Sequence, residues 1–321
     1  MILDGRKGRI EKNYPLRKLT TWKIGGPAEY VYWPEKTADL VELDQEAKAE
    51  GVKLWLIGRG SNLLAPDEGL PGITVVTSCL KDIAWSEDFC SREDAFQGED
   101  TPQREPDLRG KTTVRVGAGY ALAKLAQEAG ERGLSGLEFA RGIPGTLGGA
   151  VIMNAGAHGG EISERILRVK ALVEGEIREF RGEELAFSYR KSSLKDRAWV
   201  LEAELVLVPG KREAILQTMQ ENLLKRAASQ PLEWPNAGSV FRNPPGDFAA
   251  RLIEAAGWKG KSRGGAQVSE KHSNFIVNTG EATAEDVLFL IRSIRTDVRE
   301  HFAVELQPEI RFLGREVEAE R

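Results

Sequence analysis

Two glycine-rich stretches carry the first sign of chemistry. The longer, RGIPGTLGGAVIMNAGAHGG, runs from Arg141 to Gly160, holds seven glycines and has no formal charge from Ile143 onward. The shorter, GRGSNLL, spans Gly58 to Leu64 and adds the polar side chains of Ser61 and Asn62. Glycine lets a ligand approach the backbone closely, and exposed N–H groups in tight turns form anion-binding concavities. A long uncharged run therefore suits a ligand with a pyrophosphate and a large flat ring. Tight turns at strand ends would account for one such loop. Two of them, one so long, favour a dinucleotide gripped from two sides. GRGSNL lacks the third glycine of a Rossmann fingerprint and no clear helix pattern follows it. The chain also has no phosphate-binding P-loop and no G-x-S-x-G nucleophile elbow.

Composition sets the frame for these loops. The 321 residues allow two or three domains, and 41% hydrophobic with 29% charged residues is ordinary for a globular chain. A formal net charge of -4 argues against a general nucleic-acid or membrane-surface binder, while leaving room for local Arg/Lys clusters around an anionic ligand. Cys79 and Cys90 could pair, but two cysteines in so long a chain point to a reducing compartment. The opening MILDGRKGRIEKNYP has no signal-peptide core and no stretch is long enough to span a bilayer, so a cytoplasmic location is expected. His158, His272 and His301 match no metal spacing, and no metal is expected.

The elements that must position the loops follow from periodicity. Residues 37–50 form a helix with Thr37 as its N-cap and Gly51 as its stop, before a buried strand, KLWLI, that feeds GRGSNLL. GITVV and TTVRVGAG are further strands, and YALAKLAQEAGERG is a helix ending at Gly130 or Gly133. ILRVKALV and WVLEAELVLV are strands, and REAILQTMQENLLKRAAS is an amphipathic helix. QPLEWPNAGSVFRNPPG is turn-rich around a short strand, and DFAARLIEAAG is a helix capped by Asp247 and stopped by Gly257. NFIVN is a strand. Thr283 and Asp286 make a capping box for a helix whose inner face is Val287, Leu288, Ile291, Ile294 and Val298. In the tail, Phe302, Val304, Leu306, Ile310 and Phe312 alternate with Glu305, Gln307, Glu309 and Arg311 as in a strand. Strands and helices without a regular βαβ rhythm give an α+β class.

An ordered set of motifs runs through the chain: IGGPAEY, GRGSNLL, GLSGLEFARGIPGTLGGAVIMNAGAHGGEI, FSYRKS, NAGSVFRNP, GGAQVSEKHSNFIVN and PEIRFLG. From about Leu19 to Gly314 this set resembles the UDP-N-acetylenolpyruvoylglucosamine reductase (MurB) family of bacterial peptidoglycan synthesis. The resemblance implies non-covalent FAD in a two-subdomain fold of the vanillyl-alcohol-oxidase type, with a C-terminal α+β substrate-binding domain. It implies residues 1–78, with a returning strand at 303–321, as the first FAD subdomain. Residues 79–210 become the second, and 211–302 the substrate domain. NADPH would reduce the flavin, and hydride would pass to the enolpyruvyl group of a UDP-sugar. No other macromolecular partner is implied, and a monomer is expected.

The same resemblance assigns roles residue by residue. Ser239 matches the proton donor, Arg190 the arginine near the substrate carboxylate, and Glu309 the third catalytic member. A serine is a poor acid and must be polarised by its neighbours, whereas a guanidinium is permanently charged and grips a carboxylate as a fork. Cofactor contacts fall on Gly58, Arg59, Gly60, Ser61, Asn62 and Leu63, and on Gly142, Ile143, Pro144, Gly145, Thr146, Gly148, Gly149, Asn154, Gly156 and Ala157. Arg226 and Arg311 match basic positions near the cofactor and substrate, and Asn243 matches a substrate contact. About fifty residues separate Arg190 from Ser239, which fits the shorter subtype without the tyrosine-bearing insertion. Tyr189 is the substitute for that tyrosine, and Ser229 falls roughly where the longer subtype has a diphosphate-binding lysine. Two rivals stay open: a related FAD oxidase with no need of NADPH, and a nucleotide-binding protein without catalysis. The residues alone reach only to a dinucleotide cofactor and an anionic partner.

Residues 86–110, SEDFCSREDAFQGEDTPQREPDLRG, are acidic, polar and punctuated by Pro and Gly, with nothing in them that reads as an element. Replacing residues 88–108 by a short Gly/Ser linker is therefore expected to leave steady-state turnover within about twofold of the parent. A larger loss in the same assay would give the insert a role.

Overall fold

A computed structural model describes residues 2–86 and 108–314. Most of the acidic stretch, Cys90 with its possible pairing to Cys79, and the tail from 315 lie outside the described residues. The chain divides into two compact units: Met1–Cys79 together with Leu224–Arg321, and Leu80–Leu223.

The first unit opens with β1 (Arg9–Pro15), β2 (Pro27–Trp33), α1 (Thr37–Glu50), β3 (Leu54–Ile57), β4 (Leu63–Leu64) and β5 (Leu70–Val76). Its sheet has the order β1-β2-β5-β3, with β1 antiparallel to β2, and β5 parallel to both β2 and β3. α1 begins at Thr37 itself, so its cap lies one residue before the expected one. Lys36 occupies the N-cap, because the Asp39 carboxylate three residues on accepts its N–H at 2.9 Å. Gly51 ends the helix with φ 68°, as expected. β3 is half-buried rather than buried, with only Ile57 fully enclosed.

The second unit contains β6 (Ile83–Ser86), β7 (Thr112–Gly117), α2 (Leu122–Glu131), β8 (Leu134–Ser135), α3 (Leu147–Met153), β9 (Gly156–Ala157), β10 (Gly160–Glu161), β11 (Ile166–Val173), β12 (Glu176–Arg181) and β13 (Trp199–Pro209). An antiparallel sheet, β12-β11-β13-β7-β6, has β13 as its spine, and β8 adds to the end of that strand. Val200, Ala203, Leu205 and Leu207 of β13 point into one core with Leu125 and Ala129 of α2. The long glycine run is not a single loop. Leu147, Ala150 and Val151 sit at helical spacing and are buried, so α3 forms inside it. Thr146 caps that helix by accepting the Gly149 N–H, and Asn154 ends it at φ 44°.

The chain leaves this unit along α4 (Arg212–Ser229) and completes the first unit with α5 (Ala249–Ala255), β14 (Ser262–Arg263), β15 (Ala266–Val268), β16 (Ile276–Asn278), α6 (Ala284–Phe302) and β17 (Arg311–Phe312). Three expectations change here. The segment after α4 has no strand, only a single bridge between Phe241 and Pro308. Asp247 does not cap α5; it accepts the Phe248 N–H and pairs with Arg251, which holds its carboxyl down at about 2. The tail is not a continuous strand, since Ala303 turns at φ 56° and only β17 pairs regularly, parallel to β4. Its apolar alternation survives, with Leu306 and Ile310 buried.

Trp22 joins the N-terminal and C-terminal parts of the first unit. The ring is fully buried, its indole N–H donates to Ile276 O at 2.8 Å, and the Asn278 amide donates to Trp22 O at 3.0 Å. Burying such a side chain removes about 200 Å² from water, an upper-bound gain of roughly 5 kcal/mol. An unpaired indole N–H would return about 1–3 kcal/mol of that, so the bond to Ile276 matters.

The predicted capping box on α6 is present. Thr283 Oγ1 accepts the Asp286 N–H and Asp286 accepts the Thr283 N–H, both at 3.1 Å. Asp67, from the loop after β4, also accepts the N–H groups of Ala284 and Glu285. Thr283→Ala should cost about 1 kcal/mol, read as a lowered midpoint in urea unfolding at unchanged m-value. Asp67→Ala should cost a similar amount, because each change strips partners from the same helix start.

Candidate active site

In the first unit the seam between the 58–64 loop, residues 239–242 and residues 307–313 is held by main-chain bonds. Glu309 N–H donates to Val240 O at 2.8 Å, and Arg242 N–H donates to Gln307 O at 2.9 Å. Arg311 N–H then donates to Asn62 O at 2.9 Å and Leu313 N–H to Leu64 O at 3.0 Å. The Asn62 side-chain amide donates to Glu309 O at 3.1 Å. Ser239, Glu309, Asn62 and Arg311 are thereby brought together, with Ser239 one residue from the carbonyl that receives Glu309. All four are partly exposed, as groups that meet a ligand must be.

The same loop is fixed from behind. Gly60 O accepts the Thr21 N–H at 3.1 Å, and Thr21 Oγ1 donates to Asn236 O at 2.7 Å. A trans peptide sets its N–H opposite its C=O, so holding Gly60 O on Thr21 turns the Ser61 N–H the other way. Gly60 has φ 61°, and a Cβ there would lie 2.0 Å from Leu19 O. Only glycine fits that turn.

Asn274 was read only as the start of a strand, yet it grips the Ser239 segment. Its backbone O accepts the Val240 N–H at 2.8 Å, its Oδ1 accepts the Phe241 N–H at 2.9 Å, and its Nδ2 donates to Phe241 O at 2.8 Å. A polar amide at the head of an apolar run, as in SNFIVN, is the signal that could have found it.

In the second unit Tyr189 and Arg190 form the tip of a turn closed by Ser188 N–H to Lys191 O at 2.9 Å and Lys191 N–H to Ser188 O at 3.1 Å. Arg190 has φ 57°, a conformation that a long side chain adopts only when its surroundings hold it. Its guanidinium lies over the Tyr189 ring, 5.1 Å from the centroid. Buried Asn154 anchors this turn, donating to Ser188 O at 3.1 Å and to Glu161 Oε2 at 2.8 Å. A Cβ at Gly156 would sit 2.7 Å from Gly160 O and 3.4 Å from Arg190 Nη1. Asn154, Gly156, Glu161 and Arg190 therefore form one cluster, and Glu161 is a member the sequence did not single out.

Other predicted positions have different partners or exposure. Asn243 is exposed and its Oδ1 accepts the Ala249 N–H at 3.1 Å, which starts α5. Ser229 is exposed at the end of α4, where its hydroxyl donates to Lys225 O. Arg226, one turn earlier, is half-buried, and burial holds its pKa below the usual arginine range. Arg59 is exposed. Among the described residues no cluster of His, Cys, Asp or Glu could hold a metal, and no helix is long and apolar enough to cross a membrane. In the first unit the donor set fits an anionic cofactor group: neutral glycine-rich backbone at 58–64, a turn at Gly60 that a Cβ would fill, and Arg59 and Arg311 on the same seam.

Comparison with known proteins defines the class first. A family profile described as "FAD binding domain" matches residues 28–180, and one described as "UDP-N-acetylenolpyruvoylglucosamine reductase, C-terminal domain" matches residues 230–313. The chain is thus an α+β protein with a FAD-binding domain followed by that C-terminal domain. The UDP-N-acetylenolpyruvoylglucosamine reductase of Heliobacterium modesticaldum is 46% identical over 96% of this chain and 92% of its own length. UDP-N-acetylenolpyruvoylglucosamine reductase 1 of Bacillus cereus is 43% identical over 98% of both chains. The crystal structure of the enzyme from Thermus caldophilus superposes with a TM-score of 0.76 at 36% identity, covering 95% of this chain and 99% of that one. The chain belongs to the UDP-N-acetylenolpyruvoylglucosamine reductase family and is an oxidoreductase.

Gly60→Ala should destabilise the protein by more than about 1 kcal/mol and lower the flavin retained on purification. Gly51→Ala is the control. It has a similar φ of 68° but open space around the added Cβ, so it should cost less and leave flavin content unchanged. Urea unfolding and the absorbance ratio of flavin to protein measure both.

Proposed function

We propose that this chain reduces UDP-N-acetylglucosamine-enolpyruvate to UDP-N-acetylmuramate, with non-covalent FAD and NADPH as the reductant, in cytoplasmic peptidoglycan precursor synthesis. It would act as a monomer, with residues 1–78 and 79–210 as FAD subdomains and 211–302 as the substrate domain. The observation that carries the reading is the Glu309 N–H to Val240 O bond, which sets Glu309 against the residue that follows Ser239. Family membership supports the chemistry proposed for that pair.

Bound reduced FAD would supply a hydride to the enolpyruvyl β-carbon. The rest is work for side chains. Hydride addition breaks the C=C π bond and leaves its electron pair at the α-carbon, delocalised into the carboxylate as an enolate. Arg190 neutralises that charge as a two-pronged donor, and the held φ of its turn keeps the fork aimed. Ser239 gives its hydroxyl proton to the α-carbon, completing the addition of H⁻ and H⁺ across the double bond. Glu309 polarises or reprotonates Ser239, a role supported by its main-chain link to the next residue. Arg226 and Arg311 offer local positive charge to the pyrophosphates, and burial of Arg226 strengthens its pull on an anion. The Gly58–Leu63 and Gly142–Ala157 runs offer backbone donors to the cofactor. Tyr189 and Asn243 are the proposed substrate contacts. Asn243 Oδ1 holds the Ala249 N–H, so its Nδ2 is the group it would offer a substrate.

An anaerobic two-step titration tests this. NADPH should bleach the flavin, and UDP-N-acetylglucosamine-enolpyruvate should then restore the oxidised spectrum. Bleaching without return would remove this substrate and keep the flavoprotein. In Ser239→Ala, bleaching should proceed at the parent rate while the return slows by about 10²–10⁴-fold, the usual worth of a general acid. An unchanged return rate would sink the serine assignment.

A further inference from the structure

Ser239 lies in a stretch without regular secondary structure, between the end of α4 and the start of α5. A proton donor must sit within a few tenths of an ångström of its productive place, and loops seldom supply that by themselves. Something outside the segment has to fix it. Upstream, the Asn236 side chain accepts the Gly238 N–H at 2.9 Å and shapes the turn, while the ties to other segments, Thr21 Oγ1 to Asn236 O and Asn278 N–H to Pro235 O, stand three or more residues before the serine. Downstream, the ties are to Glu309, to Gln307 and, three times over, to Asn274.

Asn274 supplies what a neighbouring strand would supply. Its carboxamide offers one acceptor and one donor, in the same plane, to the N–H and C=O of Phe241, while its own carbonyl receives Val240 N–H. A peptide unit in a sheet does the same. The residue is buried at 4% exposure and Phe241 at 1%, so these bonds work without competition from water. Asn274 is held in turn. Its N–H donates to His272 Nδ1 at 3.3 Å, and burial pushes the His272 pKa down, which favours a neutral ring able to accept there. Next to it begins β16, whose Ile276 carbonyl receives the buried Trp22 indole. The grip on the serine segment is therefore anchored in the core of the first unit.

We propose that Asn274 is a positioning residue for proton transfer: its side-chain amide acts as a surrogate strand neighbour that holds Ser239 in register with Glu309. It touches neither substrate nor cofactor in this scheme. The proposal rests on the reading of Ser239 as the proton donor. It goes beyond that reading by assigning the donor's placement to one buried amide. The asymmetry of the contact also predicts which variants matter. Asn274→Asp keeps the acceptor for Phe241 N–H but sets a carboxylate oxygen against Phe241 O. Asn274→Ala leaves both Phe241 groups unpaired.

The test is a double-mutant cycle on the intact holoenzyme, read in the two half-reactions separately. Asn274→Ala should retain FAD and bleach with NADPH at the parent rate, while return of the oxidised spectrum on adding UDP-N-acetylglucosamine-enolpyruvate slows about 10–100-fold. In steady state, kcat should fall with KM within about twofold of the parent. On the Ser239→Ala background the same change should slow the return by less than about twofold, because a donor already absent cannot be misplaced. Equal slowing of both half-reactions, or full additivity with Ser239→Ala, would overturn the proposal and leave Asn274 a structural residue. If Ser239→Ala has no effect by itself, the underlying reading fails. If Ser239→Ala is slow but Asn274→Ala is not, only the positioning role fails. Should Asn274→Ala not fold, Asn274→Asp and Asn274→Ser carry the same cycle. Failure of all three to give folded holoenzyme would equally overturn a separable positioning role.

Discussion

The candidate site of the first unit depends on a seam of four main-chain hydrogen bonds along residues 307–313. That segment hands its partners over in turn, first the 240–242 stretch, then Asn62 and Leu64. Each bond is worth only about 1 kcal/mol net, but an unmade one would leave a partly buried amide or carbonyl without water. The directional cost of breaking register is what fixes the serine, the glutamate and the glycine loop relative to one another. Leu306 and Ile310, buried on the other side of the segment, keep it from shifting by one residue, since a slip would bring out the apolar face and bury the charged one.

The second unit solves a different problem. Arg190 carries its charge on a short turn while its backbone sits in a left-handed conformation. Such strain, of order 1–3 kcal/mol, persists where the surroundings over-determine it. Buried Asn154 does so through two donors, one to the Ser188 carbonyl and one to Glu161. A fully enclosed amide with its partners in place is rigid, because every alternative leaves a polar group unpaired in low dielectric. Both units thus use a buried asparagine to hold an irregular segment that carries a proposed site residue: Asn154 beneath the arginine turn and Asn274 beneath the serine segment. An amide side chain is suited to this, since it carries the same donor and acceptor as the peptide it supports.

Charge is also handled locally. The chain is acidic as a whole, with a formal net charge of -4, yet the positions proposed to face anions are arginines. Arg226 is half-buried on α4, where lost hydration lowers the stability of its charged form and makes an anionic neighbour more welcome. Overall charge and site charge are independent quantities, and only the second bears on an anionic cofactor or substrate.

Much was legible in the sequence. The α+β class, the extents of α4 and β11, the capping box at Thr283 and the inner face of α6 all follow from local periodicity and cap chemistry, which act within a few residues. The glycine runs and ordered motifs led to the FAD-binding reductase family. Tertiary structure decided what local rules could not. Leu147, Ala150 and Val151 became a helix because a core was there to bury them. The 302–312 alternation did not become one strand, because its partners change along its length. Asn243, expected at a substrate, also accepts the N–H that starts α5. Asn274 and Glu161 gained their importance from residues distant in sequence. A residue's type and neighbours state which hydrogen bonds it can make; only the folded chain brings up the partner, and for a buried polar group the partner is what assigns the role.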